Sequence, residues 1–327
     1  MPKIGLYLAS NVDLFHMGRT LAGLYSIPDA SISLRCVSWM KGPVSAAVEI
    51  DGLKLGIELS DHADLWDVDL LKWCDVYAKR NLNEKNGPPE PHKIIPFGVN
   101  WACHSRTSLL AVFKQVAWTL PSLKKSRLRD IYRYLVTPHW KDFEHRPDQP
   151  VESAILYQTR VWEPEDTPGD EGVNEQRVEL LRALKREFGD RVQGGIVPTP
   201  YALLHYKEFV TDGPSRQSQY IRWAKRPLIG IYSRGLFGSV AFKLAEFLAA
   251  SKCIVSEPIP NQLGAPLDHL SIYRSVDECL SACEMLLSNR SVADSHREQA
   301  WSYYARYVQP RAHILDLMYR AQNKLVE

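Results

Sequence analysis

Residues Leu228 to Pro258 read LIGIYSRGLFGSVAFKLAEFLAASKCIVSEP, and this stretch decides the fold. Leu228 to Tyr232 is a short unbroken apolar run, the pattern of a strand buried on both faces. Gly235 and Gly238 then permit a sharp turn with close backbone approach, and Ser239 is a residue type that caps helices. From there to Ala250, the residues Ala241, Leu244, Ala245 and Leu248 recur at the spacing of one buried helix face. CIVSEP supplies a second apolar strand. A strand, turn, helix and strand in this order implies a parallel βαβ unit, whose ligands gather beyond the carboxyl ends of the strands. Lys243 and Glu246, three apart, fall together near the first turns of the helix. Its free amides and positive dipole end, with Arg234 and Lys243, would hold a diphosphate, and Glu246 would accept hydrogen bonds from sugar hydroxyls. A competing reading of the same residues is a solvated surface pair on an ordinary helix. The G-x-x-G turn is also looser than a dinucleotide fingerprint.

The surrounding second half keeps the same rhythm. A strand at 153–159 leads through a Pro/Gly/Asp-rich loop to a long helix at 174–188, followed by a strand at 191–196 and helices near 200–208 and 215–224. Ser275-Val-Asp-Glu278 opens a further helix with a capping box. The strand ends Thr159-Arg160, Gly194-Gly195, Tyr232-Ser233-Arg234 and Ser256-Glu257 therefore gather at one edge of a parallel sheet.

Lys243, Glu246, Phe247, Leu248, Ala249 and Ser251, followed by CIVSEP, resemble a pattern in the C-terminal domain of GT-B glycosyltransferases of the group 1 type, of the kind found in bacterial polysaccharide biosynthesis. The resemblance covers residues 153–310, with a weaker echo before them. It implies an α/β protein with two Rossmann-like lobes (GT-B architecture) and an interlobe cleft. The lobes would be an acceptor-side domain at 1–145 and a nucleotide-sugar-binding domain at 151–310, with a helix at 311–327 packing back across the join. It further implies that Glu246 binds the ribose of a nucleotide-sugar donor, that Lys243 lies near its phosphates, and that Arg160, after the strand AILYQT, binds phosphate. The alternative for Arg160 is a surface salt bridge with Glu163 or Glu165. Arg160, Arg234 and Lys243 would neutralise the leaving nucleoside diphosphate without a metal, and Gly235, Gly238 and Ser239 would shape its cradle. No cofactor beyond the donor is expected. Many retaining enzymes of this architecture carry a second glutamate eight positions before the ribose ligand. Gly238 stands there, which leaves the stereochemical outcome open.

The first half reads as a mixed α/β lobe, with strands near 3–9, 32–38, 47–50, 54–59, 73–78 and 93–97 and helices near 17–25, 63–72, 107–119 and 124–136. Asp51-Gly52 marks a hairpin. An acceptor hydroxyl needs a general base if the reaction inverts the anomeric centre. In ELSDHADLWDVDLLKWCDVYAKRNL, which resembles a stretch of bacterial polysaccharide glycosyltransferases, Asp61 is the first candidate and His62 the second. The other reading makes Asp61 the cap of a helix starting near Ala63. Asp13 and His16, after the first strand, come third. Asp67-Val-Asp69 has the form of a metal-binding D-x-D motif, but inside a helix two such side chains point apart, so no metal is expected there.

At 327 residues with 45% apolar and 24% charged residues, the chain fits two globular lobes joined through the proline-bearing segment Pro138–Pro150. The net charge of +2 excludes the concentrated basic field of a nucleic-acid binder. One local run is basic: Lys124, Lys125, Arg127, Arg129 and Arg133, in a helix between Pro121 and Thr137 flanked by Trp118 and Tyr132. It reads as a solvated face or as a contact for an anionic membrane surface or a lipid-linked saccharide acceptor. No signal peptide or membrane span is expected, and the six scattered cysteines suit a reduced, cytoplasmic protein, peripheral at most to the inner face of a membrane. Cys279 and Cys283 sit one turn apart without a second ligand pair. Two other classes compete with glycosyl transfer. One is a non-catalytic nucleotide- or carbohydrate-binding protein of the same fold. The other is a nucleotide-sugar epimerase, which would need a dinucleotide fingerprint that residues 4–24 lack.

Overall fold

A computed structural model describes residues 2–83, 87–117, 125–167, 172–214 and 217–326. The chain divides into two compact units: Met1–Lys141 with Pro260–Pro266 and Ala305–Glu327, and Asp142–Ile259 with Leu267–Tyr304. The change at Lys141/Asp142 falls in the proline-bearing segment, and the chain changes unit again at residues 260, 267 and 305. The helix expected at 311–327 to pack back across the join anticipates the return at 305, whereas no sequence signal marks the crossings at 260 and 267.

The first unit carries β1 (Lys3–Ala9), α1 (Leu14–Leu24), β2 (Ser31–Val37), β3 (Ser45–Ile50), β4 (Leu53–Glu58), α2 (Val68–Trp73), β5 (Val76–Lys79), β6 (Ile94–Pro96), α3 (Arg106–Ala117) and α4 (Lys125–Leu135). Trp118, Pro121 and Lys124 of the expected basic segment lie outside the described residues. The sheet order is β2-β1-β3-β4-β5-β6, parallel except for β3, which runs against both β1 and β4. The reversal comes from the tight hairpin at Asp51-Gly52, whose residues take φ of 49° and 92°, as a left-handed two-residue turn requires. Ile4, Leu6 and Leu8 of β1 alternate into a core shared with Met17 and Leu21 of α1, Val112, Ile131 and Tyr134. The expected helix at 63–72 is instead α2, starting at Val68. Asp67 is its cap, accepting from the Leu70 amide at 3.2 Å with one oxygen and from the Gly42 amide at 3.1 Å with the other.

Asp142 begins the second unit: β7 (Glu152–Thr159), α5 (Val173–Phe188), β8 (Val192–Ile196), α6 (Pro200–His205), α7 (Gln217–Ala224), β9 (Pro227–Tyr232), α8 (Phe242–Ala249), β10 (Cys253–Ser256), β11 (Ser271–Ile272), α9 (Val276–Ser288) and α10 (Arg290–Tyr303). The sheet is parallel throughout, in the order β11-β10-β9-β7-β8. Ile155, Tyr157, Ile229, Ile231 and Val255 face α5 and α9 across one core, which also buries Cys279 and Cys283. The alternate residue Gly230 faces Phe247 of α8, where a Cβ would meet that ring at 2.8 Å. Both expected α/β lobes are thus present. The last helix, α11 (Pro310–Lys324), returns to the first unit and packs on α1.

Two close approaches fix α1. A Cβ on Gly18 would lie 2.3 Å from the Cys103 carbonyl oxygen, and one on Gly23 2.4 Å from that of Pro310. Gly18→Ala should therefore cost about 1–3 kcal/mol in urea unfolding, since backbone rather than a flexible side chain must move. Indistinguishable unfolding curves would refute this packing.

His269, in the second unit, is held down to about 4 by burial and by the nearby charge of His296. A depressed folded value means that its contribution to stability is complete above the unfolded value and is lost as pH falls from 6.5 toward 4. Stability should drop by about 2 kcal/mol across that window, with a shallower fall in His269→Gln. Parallel acid titrations of the two proteins would contradict the assignment.

Candidate functional site

The carboxyl ends of β7 and β9, neighbours in the second sheet, each release an arginine: Arg160 follows Thr159, and Arg234 follows Tyr232-Ser233. Arg160 is exposed and forms no ion pair with Glu163 or Glu165. Arg234 is half-buried. Its amide donates to Glu257 Oε2 at 2.9 Å, and its Nη1 lies 4.0 Å from the same oxygen. Beneath both sits Arg177 of α5, buried, donating from Nη1 to the Arg160 carbonyl at 2.7 Å and from Nη2 to the Arg234 carbonyl at 2.6 Å. Its guanidinium stacks 4.2 Å from the Trp162 ring, and Asn174 brackets Trp162 by bonding its amide and carbonyl. One buried cation thereby fixes the spacing of the two strand ends.

The turn after β9 differs from the sequence expectation. Ser239 is buried with an extended backbone and does not cap the helix. Instead Gly235 N donates to the Ser239 carbonyl at 2.8 Å and Ser239 N to the Leu236 carbonyl at 3.0 Å, closing a one-turn 3₁₀ segment at Leu236–Gly238. Phe237 and Gly238 take φ of 56° and 69°. Gly235 suits this close approach: a Cβ there would meet Ser239 Oγ at 2.4 Å and the Ser239 carbonyl oxygen at 3.0 Å. The α8 helix starts only at Phe242, with Ala241 in the cap position, where no side chain accepts from the first-turn amides. The Tyr232 hydroxyl, accepting from Ala241 N at 3.0 Å, pins this start to the end of β9.

Lys243 and Glu246 lie on the first turns of α8, 3.5 Å apart from Nζ to Oε2. Lys243 Nζ also bonds the Tyr220 hydroxyl of α7 and sits 3.6 Å from that ring's centroid. Burial depresses the Lys243 ammonium, Glu246 works against that shift, and the positive charge of Arg160 adds to it. Arg160 and Lys243 thus share one electrostatic neighbourhood. Glu246 borders a cavity of about 10 Å³ lined by Phe143, Tyr220, Ile221 and Lys225, room for one water. Lys243 of the pair therefore meets Tyr220 while also feeling the charge of Arg160.

The base candidates are all in the first unit. Asp61 is not a helix cap: its Oδ1 receives Arg80 Nη1 at 2.8 Å, and its carbonyl receives the Asn81 side chain. The His62 amide donates to Ser60 Oγ at 3.0 Å. Below them Lys79 and Glu58, both buried, form an ion pair, and Lys79 Nζ also donates to the Leu65 carbonyl at 2.6 Å. Asp13 caps α1, accepting the Phe15 and His16 amides at 2.9 and 3.1 Å, while its other oxygen lies 3.0 Å from His16 Nδ1. Burial alone would raise the Asp13 carboxyl. The bond and charge of His16, with help from Arg133, more than offset it and hold the group below the usual carboxylate range.

Arg177 and Glu257 escaped the sequence reading of the site. Arg177 carried a signal, since it occupies the apolar face of α5 one turn after Val173 and one turn before Leu181, where a cation needs buried partners. Glu257 appeared only as a strand end.

No protein-family model matches the chain, and no curated protein does. Among solved structures, the C-terminal domain of a glycosyl transferase group 1 family protein (LpcC) from Francisella tularensis aligns with 13% identity over 50% of this chain and 95% of its own, at a TM-score of 0.37. A complex of S. aureus MnaA with UDP aligns with 11% identity over 97% of this chain and 98% of its own, at 0.41. WaaG, a glycosyltransferase involved in lipopolysaccharide biosynthesis, aligns with 11% identity over 91% of this chain and 94% of its own, at 0.40.

Proposed function

We propose that this chain is a glycosyltransferase that moves a sugar from a nucleotide-sugar donor to a saccharide or lipid-linked saccharide acceptor in polysaccharide assembly. The supporting observation is that Arg160 and Arg234 extend from adjacent parallel strand ends, their backbones clamped by the buried Arg177. Cleaving the bond between sugar and diphosphate leaves negative charge on the leaving phosphate. Cations whose backbones are already fixed stabilise that charge with little reorganisation. Arg160 and Arg234 are assigned to the diphosphate and the Gly235–Ser239 turn to its cradle, with no resident metal required for charge neutralisation. Glu246 is assigned to the ribose hydroxyls through Oε1, its Oε2 being directed at Lys243, which in turn adds positive charge near Arg160.

For the acceptor proton, Asp61 and His62 are assigned as the first and second candidates on residue type, a carboxylate and an imidazole able to accept it. Asp13 and His16 are the third choice: the carboxylate lies 3.0 Å from Nδ1 of the imidazole, an arrangement that would leave Nε2 to take the proton of an acceptor hydroxyl. The contact of Lys243 with both Tyr220 and Glu246 favours a second reading, a nucleotide- or carbohydrate-binding protein without turnover. Assaying the purified chain against a panel of nucleotide sugars, with release of the nucleoside diphosphate as readout, separates the two. Release with at least one donor, slowed in Glu246→Gln, is expected of the enzyme. Binding without release would establish the second reading, and neither binding nor release would remove both.

A further inference from the structure

The described part of the first unit leaves large apolar side chains in solvent on two neighbouring helices. Leu110 and Phe113 of α3, Leu128, Tyr132 and Leu135 of α4, and Val136 just beyond it are between 40% and 64% exposed. The helices are joined by the buried Tyr134, whose hydroxyl donates to Ser108 Oγ at 2.9 Å, and both pack on α1. The core claims only part of their apolar surface: Val112 from α3, and Ile131 and Tyr134 from α4. Leu128, Tyr132, Leu135 and Val136 follow one another at i, i+4, i+7 and i+8, a second apolar stripe turned from the first. The α4 sequence KSRLRDIYRYL sets four cations against one carboxylate. Arg129 and, on α3, Arg106 are exposed and make no ion pair among the described residues.

We infer that this α3–α4 face docks on an anionic lipid surface. A stripe of Leu, Val and Tyr flanked by basic residues matches the two layers of such a surface, apolar groups entering the acyl boundary while cations meet headgroup phosphates. A second copy fits less well, because a twofold contact would bring the α4 cations of both copies together. A nucleic acid would gain nothing from the apolar stripe. The inference concerns the first unit and stands apart from the donor site, so either can fail alone.

Co-sedimentation with phosphatidylcholine vesicles, with and without about one third phosphatidylglycerol, provides the test. The wild-type chain should bind the anionic vesicles, and binding should fall with added salt. Leu128→Ser with Tyr132→Ser should weaken it at least about tenfold, and Arg129→Gln on the order of fivefold, with thermal melting and nucleotide-sugar turnover in solution unchanged. Leu110→Ser with Phe113→Ser provides an independent pair should the first variant fold poorly. Failure to bind either vesicle would overturn the inference. So would equal, salt-independent binding to neutral vesicles, or a dimer that the same substitutions dissociate.

Discussion

Replacing both Arg160 and Arg234 by alanine is expected to lower kcat/KM for the preferred nucleotide sugar by about a thousandfold, roughly 4 kcal/mol of transition-state stabilisation. Each side chain stands at a strand end and neither fills the core, so the unfolding midpoint should move little. Most of the loss should appear in kcat, because charge on the leaving phosphate is greater in the transition state than in the bound donor. Arg177→Leu provides the contrast. Its guanidinium holds the carbonyls of those two residues and stacks on the Trp162 ring, so its loss should lower stability and activity together. A double variant within about threefold of wild type would remove both arginines from the site.

The second large effect concerns the buried ion pair under Asp61. Lys79→Met should destabilise the protein by about 3–5 kcal/mol, because Glu58 is left in the interior with its charge uncompensated. Burial already raises the Glu58 carboxyl above its usual range despite the opposing pull of Lys79. The deficit of the variant should therefore shrink as pH falls and Glu58 takes up a proton. Adding Glu58→Leu should recover much of the loss, since an apolar pair of similar volume avoids desolvation. Equal urea midpoints for wild type and Lys79→Met would show that the pair contributes little.

The second unit was the more legible of the two in sequence. Its strands are continuous apolar runs separated by amphipathic helices, so period and connection length both point to a parallel sheet. In the first unit the hairpin was legible from Asp51-Gly52, but strand order was not, because nothing in β1 specifies that β2 and β3 flank it in opposite senses. Local signals misled where two residues of one type compete. Asp61 and Asp67 are equally good helix caps, and the choice fell to Asp67 because the Gly42 amide lies within its reach. Ser239 likewise reads as a cap. The Tyr232 hydroxyl, distant in sequence from neither but invisible to helix periodicity, sets the helix start at Ala241 instead. The same limit applies to the site: the residues at strand ends were readable, whereas the bond from Lys243 to Tyr220 depends on how α7 packs beside α8.

The central claim is that a nucleoside diphosphate binds at the β7 and β9 strand ends of the second unit. Calorimetric titration of the chain with uridine, guanosine, adenosine, cytidine and thymidine diphosphates measures this directly. At least one should bind with a Kd on the order of 10–100 μM, and the Arg160→Ala, Arg234→Ala double variant should abolish measurable heat. No saturable heat with any of them, or undiminished binding in the double variant, would contradict the account.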